Sequence, residues 1–228
     1  MTDLNPSKLG TKEYWDRFYD LEKRNFKENS DDTGECWFSD SGAEERMVEF
    51  LVTRSDEGVI DEQSASVIDL GTGNGRLLFS LREGGYEGPM LGIDYSEPSV
   101  EFARMVAQNE EHEDIHFQQA DFLTDGTWNK DNQKWDIVMD KGTLDAIALS
   151  DAKYEGKTGV ERYPEMVRQF IKDSGSLLVT SCNFTEDELI KSMTKDGLFK
   201  LNDRVHYPTF QFGGVQGSTI CTIEFKPL

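Results

Sequence analysis

Val67-Ile-Asp-Leu-Gly-Thr-Gly-Asn-Gly75, followed by Leu91-Gly-Ile-Asp94, reads as a buried strand, a glycine-rich turn, a helix and a second buried strand ending in a carboxylate. Val67, Ile68 and Leu70 give the apolar run of a strand covered on both faces. Gly71, Gly73 and Gly75 allow a sharp turn and a close approach of ligand to backbone, where a Cβ would clash. Asp94 lies 19 residues past Gly75 (94 − 75), about where a first βαβ unit ends and a carboxylate can grip ribose hydroxyls. The combination points to a nucleoside-containing ligand.

Glycine spacing narrows the choice of nucleoside. A dinucleotide turn needs G-x-G-x-x-G, whose last glycine packs helix against strand beside a pyrophosphate. Here the third glycine comes one residue early, Arg76 stands in its place, and Asp69 would repel a diphosphate. An acid at this position suits a ligand carrying an ammonium group. The pattern Asp69-x-Gly71-x-Gly73-x-Gly75 resembles the first motif of the seven-stranded S-adenosylmethionine-dependent methyltransferases. From the turn alone, a non-binding α/β domain or a nicotinamide site with a variant turn stays open.

The 228 residues suffice for one large domain with a full core, or for one domain plus a short arm. Lys and Arg number 24 against 44 Asp and Glu, a formal charge of −20. Such a surface repels phosphate backbones and anionic membranes and attracts a basic protein partner, although solubility alone also accounts for it. There is no bilayer-length apolar run, and the N-terminus lacks a signal-peptide pattern. The three cysteines and three histidines lack metal-ligand spacing, so neither a metal site nor a disulfide framework is expected. A cytoplasmic, metal-free protein is the resulting expectation, with nothing that demands a dimer.

The pattern along the chain predicts an α/β fold: a doubly wound, Rossmann-like, mostly parallel sheet of seven strands ending in an antiparallel hairpin, with an N-terminal helical arm. The arm occupies residues 1–62 and the cofactor-binding domain residues 63–228. Thr11 caps a first helix running to about Asn29, and the cluster Ser39-Asp40-Ser41 caps a second. Strands are expected near 66–70, 90–94, 115–119, 135–140 and 176–182. Helices are expected near 75–84, 97–109, 144–149, 160–173 and 185–195. Two extended segments, 198–212 and 217–226, flank Gly213-Gly214 as the closing hairpin.

Ligands of such sheets sit beyond the C-terminal strand ends. After the glycine turn, Asp94 is expected to accept from the ribose hydroxyls, with Tyr95 against the sugar or adenine. Asp121 is expected to accept from the adenine amino group, with Phe122 packed on the ring. The fourth strand, Trp135-Asp-Ile-Val-Met-Asp140, should end closest to the transferred group. Methyltransferases acting on planar amide-like nitrogens often carry Asn/Asp-Pro-Pro-Tyr/Phe at this point, which the segment Asp140-Lys-Gly-Thr143 replaces. An acid there suits an amine that arrives as ammonium and must lose a proton. Two uses of Asp140 are open: this catalytic one, and local pairing with Lys141 or capping of the next helix. Asp145 is a further candidate for substrate contact, with a helix-surface charge as the alternative. Trp15 and Trp37, with Tyr14 and Phe38, either anchor the arm or close over the cofactor and line a channel for an aliphatic side chain.

Beyond the glycine turn, the chain resembles the eukaryotic elongation factor 1-alpha lysine methyltransferases. The motifs are Ser7-Lys-Leu-Gly-Thr-Lys-Glu-Tyr-Trp15, Asp32-Thr-Gly-Glu-Cys-Trp-Phe38, Val138-Met-Asp-Lys-Gly-Thr-Leu-Asp-Ala-Ile147 and Pro208-Thr-Phe-Gln-Phe-Gly-Gly214. The resemblance runs from about residue 7 to the C-terminus. It implies methyl transfer from S-adenosylmethionine to a lysine Nε of that basic translation factor, in the cytosol. Nucleic-acid methylation is disfavoured by the charge and the missing Pro-Pro-aromatic motif, and two other readings are weighed against the resemblance. One is a small-molecule amine methyl- or aminopropyltransferase of the same fold, disfavoured by the lack of an inserted lid or second carboxylate cluster. The other is a non-catalytic binding module that retains the cofactor pocket, disfavoured by the intact turn with Asp94 and Asp121.

Overall fold

A computed structural model describes residues 4–124, 126–207, 210–212, 215–217 and 220–228. Helix α1 (Lys12–Glu28) starts where the sequence places its cap, with the Thr11 hydroxyl oxygen accepting from the Tyr14 amide at 3.4 Å. Ser39–Ser41 forms a 3-10 turn instead of a cap, and Gly42, at φ 63°, lets the chain turn into α2 (Ala43–Asp56). There follow β1 (Val67–Leu70), α3 (Arg76–Glu83), β2 (Met90–Asp94), α4 (Glu97–Asn109), β3 (His116–Gln119), β4 (Trp135–Lys141) and α5 (Thr143–Ala148). The chain continues through β5 (Lys153–Tyr154), β6 (Lys157–Thr158), α6 (Gly159–Phe170), β7 (Ile171–Ser181), α7 (Glu186–Thr194) and β8 (Phe199–Val205). It closes with β9 (Phe210–Phe212), β10 (Val215–Gly217) and β11 (Cys221–Pro227).

Seven strands form one sheet in the order β3-β2-β1-β4-β7-β11-β8. The first five run parallel, and β11 pairs antiparallel with both β7 and β8. Strand order reverses between β1 and β4, which opens the crevice where such sheets bind ligands. Side chains alternate across the sheet. Val67, Ile137 and Met139 enter a core shared with α1 to α4, while Ile68, Leu70 and Val138 enter one shared with α5, α6 and α7. Full burial of a large apolar side chain such as Phe79, Phe102 or Phe225 contributes about 1.5–3 kcal/mol.

Three details depart from the sequence reading. Helix α6 ends at Phe170 and β7 begins at once, because Ile171 is fully buried and pairs with Trp135. A register irregularity opposite Trp135 and Ile137 then absorbs the exposed Asp173 and Ser174 before pairing resumes at Ser176. The small hairpin β5–β6, turning through Glu155 at φ 52° and Gly156 at φ 86°, was not anticipated. The closing hairpin consists of β8 and β11, with a separate short ladder β9–β10 between them; Gly213-Gly214 lies outside the described residues.

The N-terminal segment is fastened to the sheet domain at several points. Phe26 meets Phe102 of α4 at 5.8 Å between ring centroids, Lys23 pairs with Glu101 at 2.6 Å, and the Ser7 amide donates to the Leu149 carbonyl at 3.0 Å. Met47 and Leu51 of α2 share a core with β1 and α3. None of the helices formed by the described residues is long and apolar enough to cross a membrane.

Of the two uses left open for Asp140, its contacts in the fold are those of a cap. Strand alternation puts it on the Val138 side, facing α5 and α6, where it is fully buried. Its carboxylate accepts from the amides of Thr143 (2.9 Å) and Leu144 (3.2 Å) and from the Tyr163 hydroxyl (2.8 Å). This fastens β4 to the start of α5 and to α6, and favours the helix dipole. Burial pushes the carboxyl up to about 7. Asp140→Ala leaves three buried donors without an acceptor and is expected to cost about 2–4 kcal/mol in urea unfolding. Asp140→Asn should cost less. Because the raised carboxyl holds its proton in the folded state, its contribution to stability falls as pH rises from about 4 towards 7. The deficit of Asp140→Asn should therefore shrink over that range.

Candidate functional site

A cavity of about 250 Å³ opens at the C-terminal edge of the sheet, over the β1–β4 switch. Its floor is the turn after β1. Gly71, Gly73 and Gly75 adopt φ of 66°, 60° and 85°, which only glycine takes without strain. Gly71, Thr72, Gly73 and Asn74 line the cavity. Gly75 does not; a Cβ there would lie 2.7 Å from Phe79 and 2.9 Å from Phe117, so its role is to seat α3 against the sheet.

Asp94 ends β2 at the cavity wall, where Oδ2 accepts from the Gly73 amide at 3.2 Å and Oδ1 from Ser96 at 2.9 Å. The carboxylate is therefore fixed against the glycine turn, and burial pushes it up to about 6 against these hydrogen bonds. Asp69 is also buried, pushed up to about 7 chiefly by desolvation. One residue before the end of β1, it does not line the cavity.

Tyr95, Asp121 and Phe122 line one end of the cavity together with Leu123 and Tyr154. The Asp121 carboxylate accepts from the Leu123 amide at 3.1 Å, which orients the loop after β3. At the other end stand Lys141, Asp145, Cys182 and Asn183 with Trp37 and Phe38. Asp145 is buried in the first turn of α5; it accepts from the Ser181 hydroxyl, the Cys182 amide (2.8 Å) and the Asn183 amide (3.4 Å). Burial raises its pKa.

The cover comes from the N-terminal segment. Trp15 donates through its indole N–H to the Leu9 carbonyl at 2.7 Å and meets Trp37 at 5.2 Å between centroids. A Cβ at Gly73 would lie 2.6 Å from the Tyr19 hydroxyl, so α1 rests directly on the glycine turn. Asn74 holds the Thr33 carbonyl at 2.9 Å, and Lys141 Nζ holds that of Trp37 at 3.0 Å.

Of the residues the sequence singles out, Trp15, Trp37, Gly71, Gly73, Asp94, Tyr95, Asp121, Phe122 and Asp145 are brought together around one cavity, whereas Asp69, Gly75 and Asp140 lie behind its wall. Tyr19, Lys141, Tyr154 and Asn183 line it without having been singled out as site residues. Asn183 follows the end of β7, the fifth strand end on the same edge; extending the strand-end rule by one strand finds it.

The wall suits S-adenosylmethionine. It offers a carboxylate for a ribose diol, an aromatic and acidic end for adenine, closely approachable glycine backbone between them, and an acid-rich surround for a cationic ligand. Trp37 lines the cavity, and its indole nitrogen is buried without an acceptor among the described residues.

Comparisons with known proteins agree. A methyltransferase-domain family profile matches residues 61–214. The chain is 52% identical over 225 residues to the protein-lysine N-methyltransferase EFM4 of Saccharomyces cerevisiae, covering 98% of this chain and 96% of that protein. It is 33% identical over 223 residues to EEF1A lysine methyltransferase 2 of Homo sapiens, covering 98% and 88%. Among solved structures, the magnesium protoporphyrin IX methyltransferase of Synechocystis with bound S-adenosylmethionine aligns with a TM-score of 0.58 at 17% identity, over 92% of this chain and 97% of that one. A TehB-like methyltransferase from Corynebacterium glutamicum reaches 0.60 at 14% identity, over 93% and 98%. These two likenesses concern the fold alone. With its fold, its cavity and its full-length likeness to EFM4 and EEF1A lysine methyltransferase 2, the chain belongs to the S-adenosylmethionine-dependent protein-lysine methyltransferases of the seven-stranded class.

Proposed function

We propose that this protein methylates a lysine Nε of translation elongation factor 1-alpha, using S-adenosylmethionine. The observation that carries the reading is full-length likeness, at 33–36% identity, to proteins named for lysine methylation of EEF1A, together with 52% identity to a protein-lysine methyltransferase. In this reading the formal charge of −20 draws in a basic protein surface. The partner is met in the cytoplasm by a monomer, and neither nucleic acid nor membrane is a substrate. Residues 1–62 act as the arm that covers the cofactor held by residues 63–228.

When bound, the cofactor supplies a methyl carbon on a positively charged sulfur, open to attack by a neutral amine. The chain has two tasks, holding that amine in line and letting it lose its proton. Asp145, at the cavity wall, takes the role first considered for Asp140 and pairs with the arriving ammonium. Its raised pKa makes it a better proton acceptor than an exposed carboxylate. The aromatic wall of Trp37 and Phe38 removes water from the lysine side chain, which lowers the amine's pKa towards neutrality. Asp94, Asp121 and the backbone of Gly71 and Gly73 hold the adenosyl part, while Asp69 favours the positive charge from behind.

Incubation of purified elongation factor 1-alpha with labelled S-adenosylmethionine should place methyl groups on a single lysine by mass spectrometry. Asp94→Ala should remove the signal by weakening cofactor binding at least about a hundredfold. Asp145→Asn should lower kcat at least about tenfold with cofactor affinity kept within about twofold. Cofactor binding without any incorporation would instead favour the amine-transferase or binding-module reading.

Cofactor affinity should also depend on pH with a definite sign. Free Asp94 titrates near 6 and Asp69 near 7. Ribose hydroxyls donate to an ionised Asp94, and a cationic ligand favours an ionised Asp69, so binding releases protons. Affinity should rise from pH 5.5 to about 7.5 and then level. Calorimetry in buffers of different ionisation enthalpy should give net proton release near pH 6.5; proton uptake there would refute these roles.

A further inference from the structure

The bound donor carries two positive groups, a sulfonium and an amino group, and one negative group, the carboxylate of its methionine part. The acids that line the cavity are Glu35, Asp94, Asp121 and Asp145. All of them oppose that carboxylate, and in a site with little water the repulsion is poorly screened. Among the described residues one cationic side chain lines the cavity, Lys141 at the end of β4.

We infer that Lys141 binds the methionine carboxylate of the cofactor and, through the same ammonium group, latches the N-terminal segment over it. The inference rests on the cofactor reading proposed above. Strand alternation places Lys141 on the Ile137–Met139 side, the side of Asp69, while Asp140 points away to α6. Lys141 Nζ donates to the Trp37 carbonyl at 3.0 Å and sits 6.0 Å from the Phe38 ring centroid. Its charge favours the ionised form of Asp69, but it makes no ion pair within 4 Å among the described residues, in a chain whose carboxylates outnumber its cations by 44 to 24. With three donors on the ammonium and one given to Trp37, two remain for a ligand.

The second observation is on the same residue as that carbonyl. The Trp37 indole N–H is buried without an acceptor among the described residues. A buried donor in this condition costs free energy unless an acceptor arrives with the ligand. Lys141 therefore gives this end of the cavity a cationic donor for an anion, against an otherwise acidic wall, and the residue it latches carries a buried N–H that still lacks an acceptor. The consequence is a specificity: the site prefers a donor that retains its carboxylate over the decarboxylated form used by aminopropyl transfer.

Calorimetric binding of four ligands to the full chain tests this: S-adenosylmethionine, S-adenosylhomocysteine, decarboxylated S-adenosylmethionine and 5′-methylthioadenosine, which lacks the amino-acid part. Lys141→Met should weaken the first two by about ten- to hundredfold, the range of a charge-assisted hydrogen bond. It should leave 5′-methylthioadenosine within about twofold, and leave decarboxylated S-adenosylmethionine unchanged or bound more tightly, since a repelling cation is gone. Lys141→Arg should recover part of the loss. Equal weakening of all four ligands would overturn the inference and reduce Lys141 to a latch on Trp37. Unchanged affinity for S-adenosylmethionine would overturn it outright while the cofactor reading stands. If the unaltered chain bound neither S-adenosylmethionine nor S-adenosylhomocysteine, the cofactor reading would fail and this inference with it.

Discussion

Carboxylates deprived of water are the constraint around which this sheet edge is built. Asp69, Asp94, Asp140 and Asp145 lie at or just beyond the ends of β1, β2 and β4, and all four are buried. An ionised carboxylate in such a place is stable only with donors supplied by the protein. For three of the four the fold supplies them from backbone. The glycine turn gives Asp94 the Gly73 amide, the start of α5 gives Asp140 two amides, and the loop after β7 gives Asp145 two more. The loops therefore acquire their shape from the acids they satisfy, and the cavity is the space between those loops.

The cover obeys the same logic. Segments 7–15 and 32–38 have few apolar anchors of their own outside the aromatic cluster of Trp15, Phe18, Tyr19 and Trp37. They are held by polar contacts to groups that line the cavity: Asn74 to Thr33, Lys141 to Trp37, and the Ser7 amide to Leu149. Fastening this segment through residues that line the cavity couples the two. A change at Lys141 or Asn74 is felt both by what is bound and by what closes over it.

Much of this was legible in the chain because it rests on local signals. The alternation of apolar runs, the spacing Gly71-Gly73-Gly75 and the acid at position 94 locate the switch point, since each depends on strand period or turn stereochemistry. Thr11 as a cap is local in the same sense. Side-chain direction at the fourth strand was harder. The period of two tells that Asp140 and Lys141 point to opposite faces, but not which face carries the cavity. That depends on where α1 and the loop at Trp37 come to rest, a contact between residues about a hundred apart in sequence. The hairpin β5–β6 escaped for another reason: two-residue strands carry no periodicity, and only Gly156 marks the turn.

An acid-rich cavity with one lysine among the described residues is also suited to turning over. The methyl donor carries one net positive charge, and what is left of it after transfer carries none. In the roles proposed for them, Asp69, Asp94 and Asp145 would hold the donor more firmly than the remnant, because their attraction is to a charge that the reaction removes. Lys141, in the role inferred for it, meets a carboxylate present in both and so holds the ligand in register, while its repulsion of the sulfonium works against the donor. Binding by the acids selects the reactive species; binding by the lysine keeps its orientation. Were the balance reversed, with several cations and few acids, the site would retain its product as firmly as its substrate. The composition of the wall is thus a statement about the whole cycle, from donor capture to release of the remnant.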